Sequence, residues 1–280
     1  MFNRYTLARR AVTVALGISA TAGSLLPVST ASAATIPGLC IPSQTAGTAS
    51  WNYRMCGIAD IDQPRVGLPG NGSQYCVPTS TLNAMFWLDK HGYPNLLVGD
   101  YDPQSSADPD YSAVTSKIAK LGELMGTDAE DGTPSGADSG MNDQFEEKGY
   151  EDALEASEID LTDEDLPGRT LAQLGSRGHG ENLLVLRLRH YDADGDDIGG
   201  HAVTLTRSVG TSSGTSTITF NDPAAAPNGG SGDLTTQSPF AEQTYSLGSR
   251  NDDGYKVIGY RDGNYRLAGA YFIERLVDMS

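Results

Sequence analysis

Cys76 stands in "NGSQYCVPTSTLNAMFWL" (71–88), directly ahead of Val77, Pro78, Thr79, Ser80 and an apolar run. A thiol so placed begins a buried helix. Pro78 falls in the first turn, where its missing N–H costs nothing, and Thr79 and Ser80 suit the same region. The unpaired N–H groups of a helix start carry partial positive charge and favour a thiolate. A thiolate can attack an acyl carbon when a histidine takes the thiol proton and a carbonyl or carboxylate orients that histidine. A packed, inert cysteine is the plainer alternative.

Four histidines could serve. His91 ends the helix that Cys76 begins, several turns from the thiol. His179 lies in the Gly-rich "SRGHGEN", and His190 in "RLRHYD" alternates with arginines as at a solvent-facing strand end. His201 follows "GDDIGG" and opens the strand "HAVTLT", so it belongs at the rim of a sheet. Gly199 and Gly200 before it allow another chain to approach closely. The next strand, "STITFNDP", ends at Asn221-Asp222-Pro223, and consecutive strands usually neighbour each other. Either Asn221 or Asp222 could therefore receive the imidazole N–H, while Pro223 ends the pairing.

These residues need elements to hold them. Helical spacing runs from Cys76 through Leu82, Met85 and Phe86 to a C-terminal end at His91-Gly92. Val114, Ile118, Leu121 and Met125 give a second helix over Tyr111 to Met125. "GTDAEDGTPSGADSG" reads as an acidic loop, residues 141–158 as acidic and weakly helical, and "PGRTLAQLGSRG" as a short helical turn. The C-terminal half is strand-like: 182–191, 201–209, 216–222, then "YKVIGY" and "YRLAGAYFIERLV" joined by an Asp-Gly hairpin turn. Helices first and an antiparallel sheet second predict an α+β fold.

Residues 1–33 carry arginines, an apolar small-residue core and an Ala-Ser-Ala site, the pattern of a secretory signal peptide. No later segment approaches about 18 consecutive apolar residues, so no membrane span is expected. Without Arg4, Arg9 and Arg10, 16 basic residues face 36 acidic ones, a formal charge of −20. Such a surface repels phosphate backbones, and nucleic acid is not expected as a partner. In an oxidising compartment Cys40 and Cys56, in an N-terminal arm over 34–59, would bridge and add about 3 kcal/mol, leaving Cys76 free. Asp192, Asp194 and Asp196 in "DADGDD" resemble the start of a calcium loop, but Val203 falls where its twelfth-position acid should be. An acidic turn joining two strands is the expectation there, and no cofactor is implied.

The order of Cys76 before a helix, Gly-Gly-His at a strand and Asp-Pro after the next strand resembles the papain-like cysteine peptidase superfamily. Within it, the chain is similar to the bacteriocin-processing (double-glycine leader) peptidases and their secreted single-domain relatives. Gln63, Cys76, Pro78 and Ser80 match their "Gln … Cys-Gly-Pro-x-Ser" segment, with Val77 where those relatives have glycine. Gly200, His201 and Val203 match the histidine strand, and Asp222 and Pro223 its Asp-Pro neighbour. The resemblance spans about residues 60–225 and implies a papain-like domain over 60–280, its helical part packed on a C-terminal antiparallel sheet. It further implies a secreted hydrolase acting on peptide or protein amide bonds. Cys76 would attack, His201 would move the proton, Asp222 would orient it, and Gln63 (or Gln74, two residues before the thiol) would polarise the carbonyl. An acyltransferase of transglutaminase type could use the same residues, and a non-catalytic papain-like binding protein could keep them without turnover.

Overall fold

A computed structural model describes residues 43–45, 50–162, 182–211, 216–224, 234–238, 240–261 and 263–276, all within a compact unit over Cys40–Ser280. The expected signal peptide at 1–33, Cys40, His179 and the turn expected at "PGRTLAQLGSRG" lie outside the described residues.

Helix α1 (Cys76–Lys90) buries every residue from Val77 to Leu88, so it is a core element and not a surface one. Leu82, Met85 and Leu88 are fully buried, and truncating one such side chain to alanine costs about 2–5 kcal/mol. The helix stops where His91 stacks on Trp87 at 3.9 Å and its Nδ1 meets the Trp87 carbonyl at 2.7 Å. Helix α2 (Asp110–Leu124) buries Val114, Ile118 and Leu121 on the expected stripe. Helix α3 (Ala137–Glu147) packs against α2, while α2 packs against α1. Among the described residues, no helix is long and apolar enough to cross a membrane.

The strands are β1 (Ser43–Thr45), β2 (Ser50–Arg54), β3 (Leu154–Asp160), β4 (Leu183–Tyr191), β5 (Asp197–Thr211), β6 (Ser216–Asn221), β7 (Gln243–Asn251), β8 (Gly254–Ile258) and β9 (Tyr265–Arg275). All pairings are antiparallel. Because β5 pairs with both β4 and β6, the run β5-β4-β9-β8-β7-β6 closes on itself as a ring of six strands. Strand β3 joins β9 from outside, and β1 and β2 extend β5. The architecture is α+β, with α1 lying on β5 and β4.

Three expectations change. Residues 154–160 form a strand rather than a weak helix, because Leu154, Ala156 and Ile159 are buried along the pairing with β9. Strand β5 begins at Asp197, so His201 is its fifth residue and not its first. The β8–β9 connection is also longer than an Asp-Gly turn, running from Gly259 to Asn264. Its Tyr260 is fully buried and its Arg261 has φ +48°, which draws the loop inward.

Candidate active site

Three hydrogen bonds set α1 against β5. Ser80, one turn after Cys76, donates from Oγ to the Ala202 carbonyl at 3.0 Å. Thr204 Oγ1 returns a bond to the Ser80 carbonyl at 2.8 Å. Asn83 Nδ2 donates to Thr204 Oγ1 at 3.3 Å, while its Oδ1 accepts from the Ile61 N–H at 2.9 Å. Residues one turn apart share a helix face, so clamping Ser80 to Ala202 brings Cys76 to His201.

Cys76 is the first residue of α1, partly buried and free. Cys56, by contrast, is disulfide-bonded, while Cys40, its expected partner, is outside the described residues. Cys76 and His201 line the same cleft and sit close enough for each to shift the other's pKa. His201 Nε2 lies 2.6 Å from Asp222 Oδ1, which leaves Nδ1 for the sulfur. His201 and Asp222 are both buried, with the Asp222 side chain only 2% exposed. Asp222 Oδ1 also accepts from the Ala224 N–H at 3.0 Å, and Oδ2 accepts from the Tyr260 hydroxyl at 2.7 Å. Arg261 lies across this pair, its NH2 3.4 Å from Asp222 Oδ2 and 3.3 Å from His201 Nε2.

The surroundings push charge onto the dyad. Burial alone would raise the Cys76 pKa, but the His201 hydrogen bond and charge, with N–H groups of Ala202 and Val77 on the sulfur, bring it below its ordinary value. Burial would lower the pKa of His201, yet the charge and hydrogen bond of Asp222, and then Cys76, lift it to about 9. Burial likewise opposes ionisation of Asp222. The charge and hydrogen bond of His201, then Arg261 and Tyr260, hold it well below the usual carboxylate range. A thiolate beside an imidazolium is the form these shifts favour.

Asn221, the other candidate orienter, points away: its Nδ2 donates to the carbonyls of Ile58 and Ala59 at 3.2 and 2.8 Å. Of these two, it is Asp222 that meets the imidazole.

Gln63 directs its amide into its own loop. Its Nε2 donates to the carbonyls of Gly72 and Ser73 at 3.1 and 3.0 Å, using both amide hydrogens within the loop. Its Oε1 is buried without a partner. Gly72, at φ +79°, sits so close that a β-carbon there would strike the Gln63 carbonyl. Gln63 is therefore a loop clamp in this arrangement, and its backbone N–H anchors the Pro223 carbonyl at 2.7 Å. Gln74 instead lines the cleft that opens onto Cys76 and His201.

That cleft measures about 480 Å³. Gly132, Thr133, Gly199 and Gly200 are among the residues that line it. Gly199 has φ +143°, a conformation that disfavours other residues, and nothing lies within 4 Å of a β-carbon placed there. Gly199 thus leaves open space two residues before His201, whereas a β-carbon at Gly200 would come within 3.3 Å of the Leu188 carbonyl. Val77 also lines the cleft, with its side chain mostly buried.

The remaining candidates are structural. His190 stacks on Tyr265 at 4.3 Å. Asp192 Oδ1 accepts the N–H groups of Asp194 and Asp196, both at 2.9 Å, and so builds the β4–β5 turn. Among the described residues no group of three or more His, Cys, Asp or Glu side chains is arranged to hold a metal ion.

Sequence reasoning missed Tyr260 and Arg261. The signal available was their place just before Asp262-Gly263, which reads locally as a plain hairpin turn.

Compared with protein-family models and with curated proteins, the chain matches none.

Proposed function

We propose that this protein is an exported, papain-like cysteine hydrolase that cleaves peptide or protein amide bonds through a thioacyl-enzyme. The observation that carries the reading is that Cys76 and His201 line one open cleft while His201 Nε2 meets the buried Asp222 Oδ1 at 2.6 Å.

The chemistry follows from the order of these groups. The Cys76 thiolate attacks the amide carbon, forming an S–C bond as the carbonyl electrons move to oxygen. The oxyanion develops beside the first N–H groups of α1, where partial positive charge is already in place. Gln74, which lines the cleft, rather than Gln63, which does not, would supply a side-chain amide there. The imidazolium of His201 gives its proton to the leaving amine, and the C–N bond breaks. Water then enters, His201 removes its proton, and the thioester is hydrolysed to acid and free thiol. Asp222 holds the ring orientation throughout.

Exposure to a library of unstructured peptides, with products read by mass spectrometry, tests this. The reading expects new termini that vanish in Cys76→Ala. Products carrying an added amine in place of water would instead mark an acyltransferase, and no product from a chain whose Cys76 is hyper-reactive would mark a binding protein.

A further inference from the structure

We propose that Tyr260 and Arg261 are positioning residues that act on His201 through Asp222: Tyr260 sets the carboxylate's rotation and Arg261 limits how strongly the imidazole holds its proton. The inference rests on the reading of Cys76–His201–Asp222 as a working site.

Asp222 has two oxygens with different duties. Oδ1 serves His201 at 2.6 Å. Oδ2 would leave the carboxylate free to swing unless something held it, and the Tyr260 hydroxyl does so at 2.7 Å. Tyr260 cannot itself swing easily, being fully buried in edge-on contact with Phe220, Tyr245 and Tyr265 at centroid distances of 5.5, 5.2 and 4.9 Å.

Arg261 is held with similar care. Its guanidinium lies 5.1 Å from the Tyr260 ring and 5.5 Å from the Tyr265 ring, and NH1 donates to the Tyr265 hydroxyl at 3.3 Å. Its backbone adopts φ +48°, a conformation that costs a residue with a β-carbon about 1 kcal/mol. A strained backbone kept at this point aims the cation at the His201–Asp222 hydrogen bond, with NH2 at 3.3 Å from Nε2.

The sign of the effect is set by charge. Arginine has donors only, so it cannot accept the Nε2 proton of an imidazolium. Its contact with that ring is repulsive, while its contact with Asp222 neutralises part of the charge that holds the proton. Both effects disfavour the imidazolium. The titratable groups facing His201 are Cys76 from α1, Asp222 after β6, and Arg261 from the β8–β9 connection. Asp60, Asp62 and Tyr260 act on it through Asp222, and Tyr271 flanks Cys76. Without Arg261, His201 would keep its proton to a higher pH and release it less readily to a leaving amine.

The test is an NMR titration of His201 in 15N-histidine-labelled protein, with Cys76 alkylation by iodoacetamide followed in parallel. Arg261→Gln should raise the His201 midpoint by about 0.5–1 unit, and Arg261→Lys, which retains the charge, should restore it. Tyr260→Phe should broaden or shift the downfield resonance of the hydrogen-bonded Nε2–H and slow alkylation about tenfold, the loss of one charge-assisted bond. A purely structural loop would move melting temperature but neither signal. Should Arg261→Gln fail to fold, the single-atom change Tyr260→Phe still decides. An unmoved midpoint in Arg261→Gln together with an unmoved resonance in Tyr260→Phe would overturn the inference. Ordinary alkylation of the unmutated chain would instead overturn the reading beneath it.

Discussion

The Ser80 hydroxyl donates to the Ala202 carbonyl at 3.0 Å, and this contact aligns Cys76, one turn earlier on α1, with His201, the neighbour of Ala202 on β5. The site is thus assembled by a polar contact between a helix and a strand 122 residues apart in sequence. Ser80→Ala should cost about 1–3 kcal/mol, since it leaves a buried carbonyl without its donor. It should also slow Cys76 alkylation, while Ser80→Thr, which keeps the hydroxyl, should lose less on both counts. Chemical denaturation and alkylation on the same samples check this.

Gln63 gives a prediction of opposite character. Because its amide is spent on Gly72 O and Ser73 O, Gln63→Leu should lower stability by about 1–3 kcal/mol. Alkylation of Cys76 should change less than about threefold, and peptide cleavage should follow the folded fraction. Gln74→Leu should do the reverse, with little loss in a melting curve and a drop of about tenfold or more in cleavage rate. A cleavage defect confined to Gln63→Leu would return the oxyanion role to that residue.

Asp60 ties acidity to stability. Burial first, with the nearby charges of Asp62 and Asp222, raises its pKa from 3.8 to about 7, although the Ala241 N–H bond at 2.9 Å works against the rise. A carboxyl with a raised folded pKa keeps its proton longer in the folded chain. Between about pH 4 and pH 7 the folded state therefore binds more protons, and this group's contribution to stability falls as pH rises. The chain should unfold at lower denaturant at pH 8 than at pH 5, with Asp60→Asn flattening that difference. A stability that climbs from pH 5 to pH 8, unchanged by Asp60→Asn, would contradict it.

Arg65 is fully buried, its Nε donating to the Asp62 carbonyl at 2.7 Å and its NH2 to Gln237 Oε1 at 2.5 Å, with its guanidinium 4.2 Å from the Tyr111 ring. Those bonds tie the segment before Cys76 to α2 and to the loop at 237. Arg65→Ala should destabilise by about 3–5 kcal/mol, because it strips a buried network of its donor. Equilibrium unfolding in urea measures this.

How much of this was legible in the sequence depended on the range of the interaction. Helices α1 and α2 follow from spacing such as Val114, Ile118 and Leu121, because one face of each meets the core. Strands β4, β5, β6 and β9 follow from β-branched and apolar runs. Strand β3 did not, since Glu155, Ser157 and Glu158 dilute a pattern that only pairing with β9 explains. Strands β1 and β2 lie in a stretch of the arm without periodicity, and β7 carries the mixed pattern of "QTYSLGSRN". Cys76, His201 and Asp222 were legible as residue types in order along the chain, although His201 lies inside β5 rather than at its start. The direction of the Gln63 amide was not legible, because it depends on the turn at Gly72. Tyr260 and Arg261 were invisible because a loop drawn inward looks, in one dimension, like a turn.

The most direct test of the account is the pH dependence of Cys76 alkylation by iodoacetamide. A thiol of ordinary pKa is less than about 1% thiolate at pH 6. The account predicts that Cys76 at pH 6 reacts at least about tenfold faster than a model thiol, even after the lower nucleophilicity of a stabilised thiolate is allowed for. It also predicts a second inflection near the His201 value of about 9 and loss of the pH 6 reactivity in His201→Ala. A single inflection between about pH 8 and 9 at the model-thiol rate, unchanged by His201→Ala, would contradict the claim that Cys76 and His201 form an ion pair.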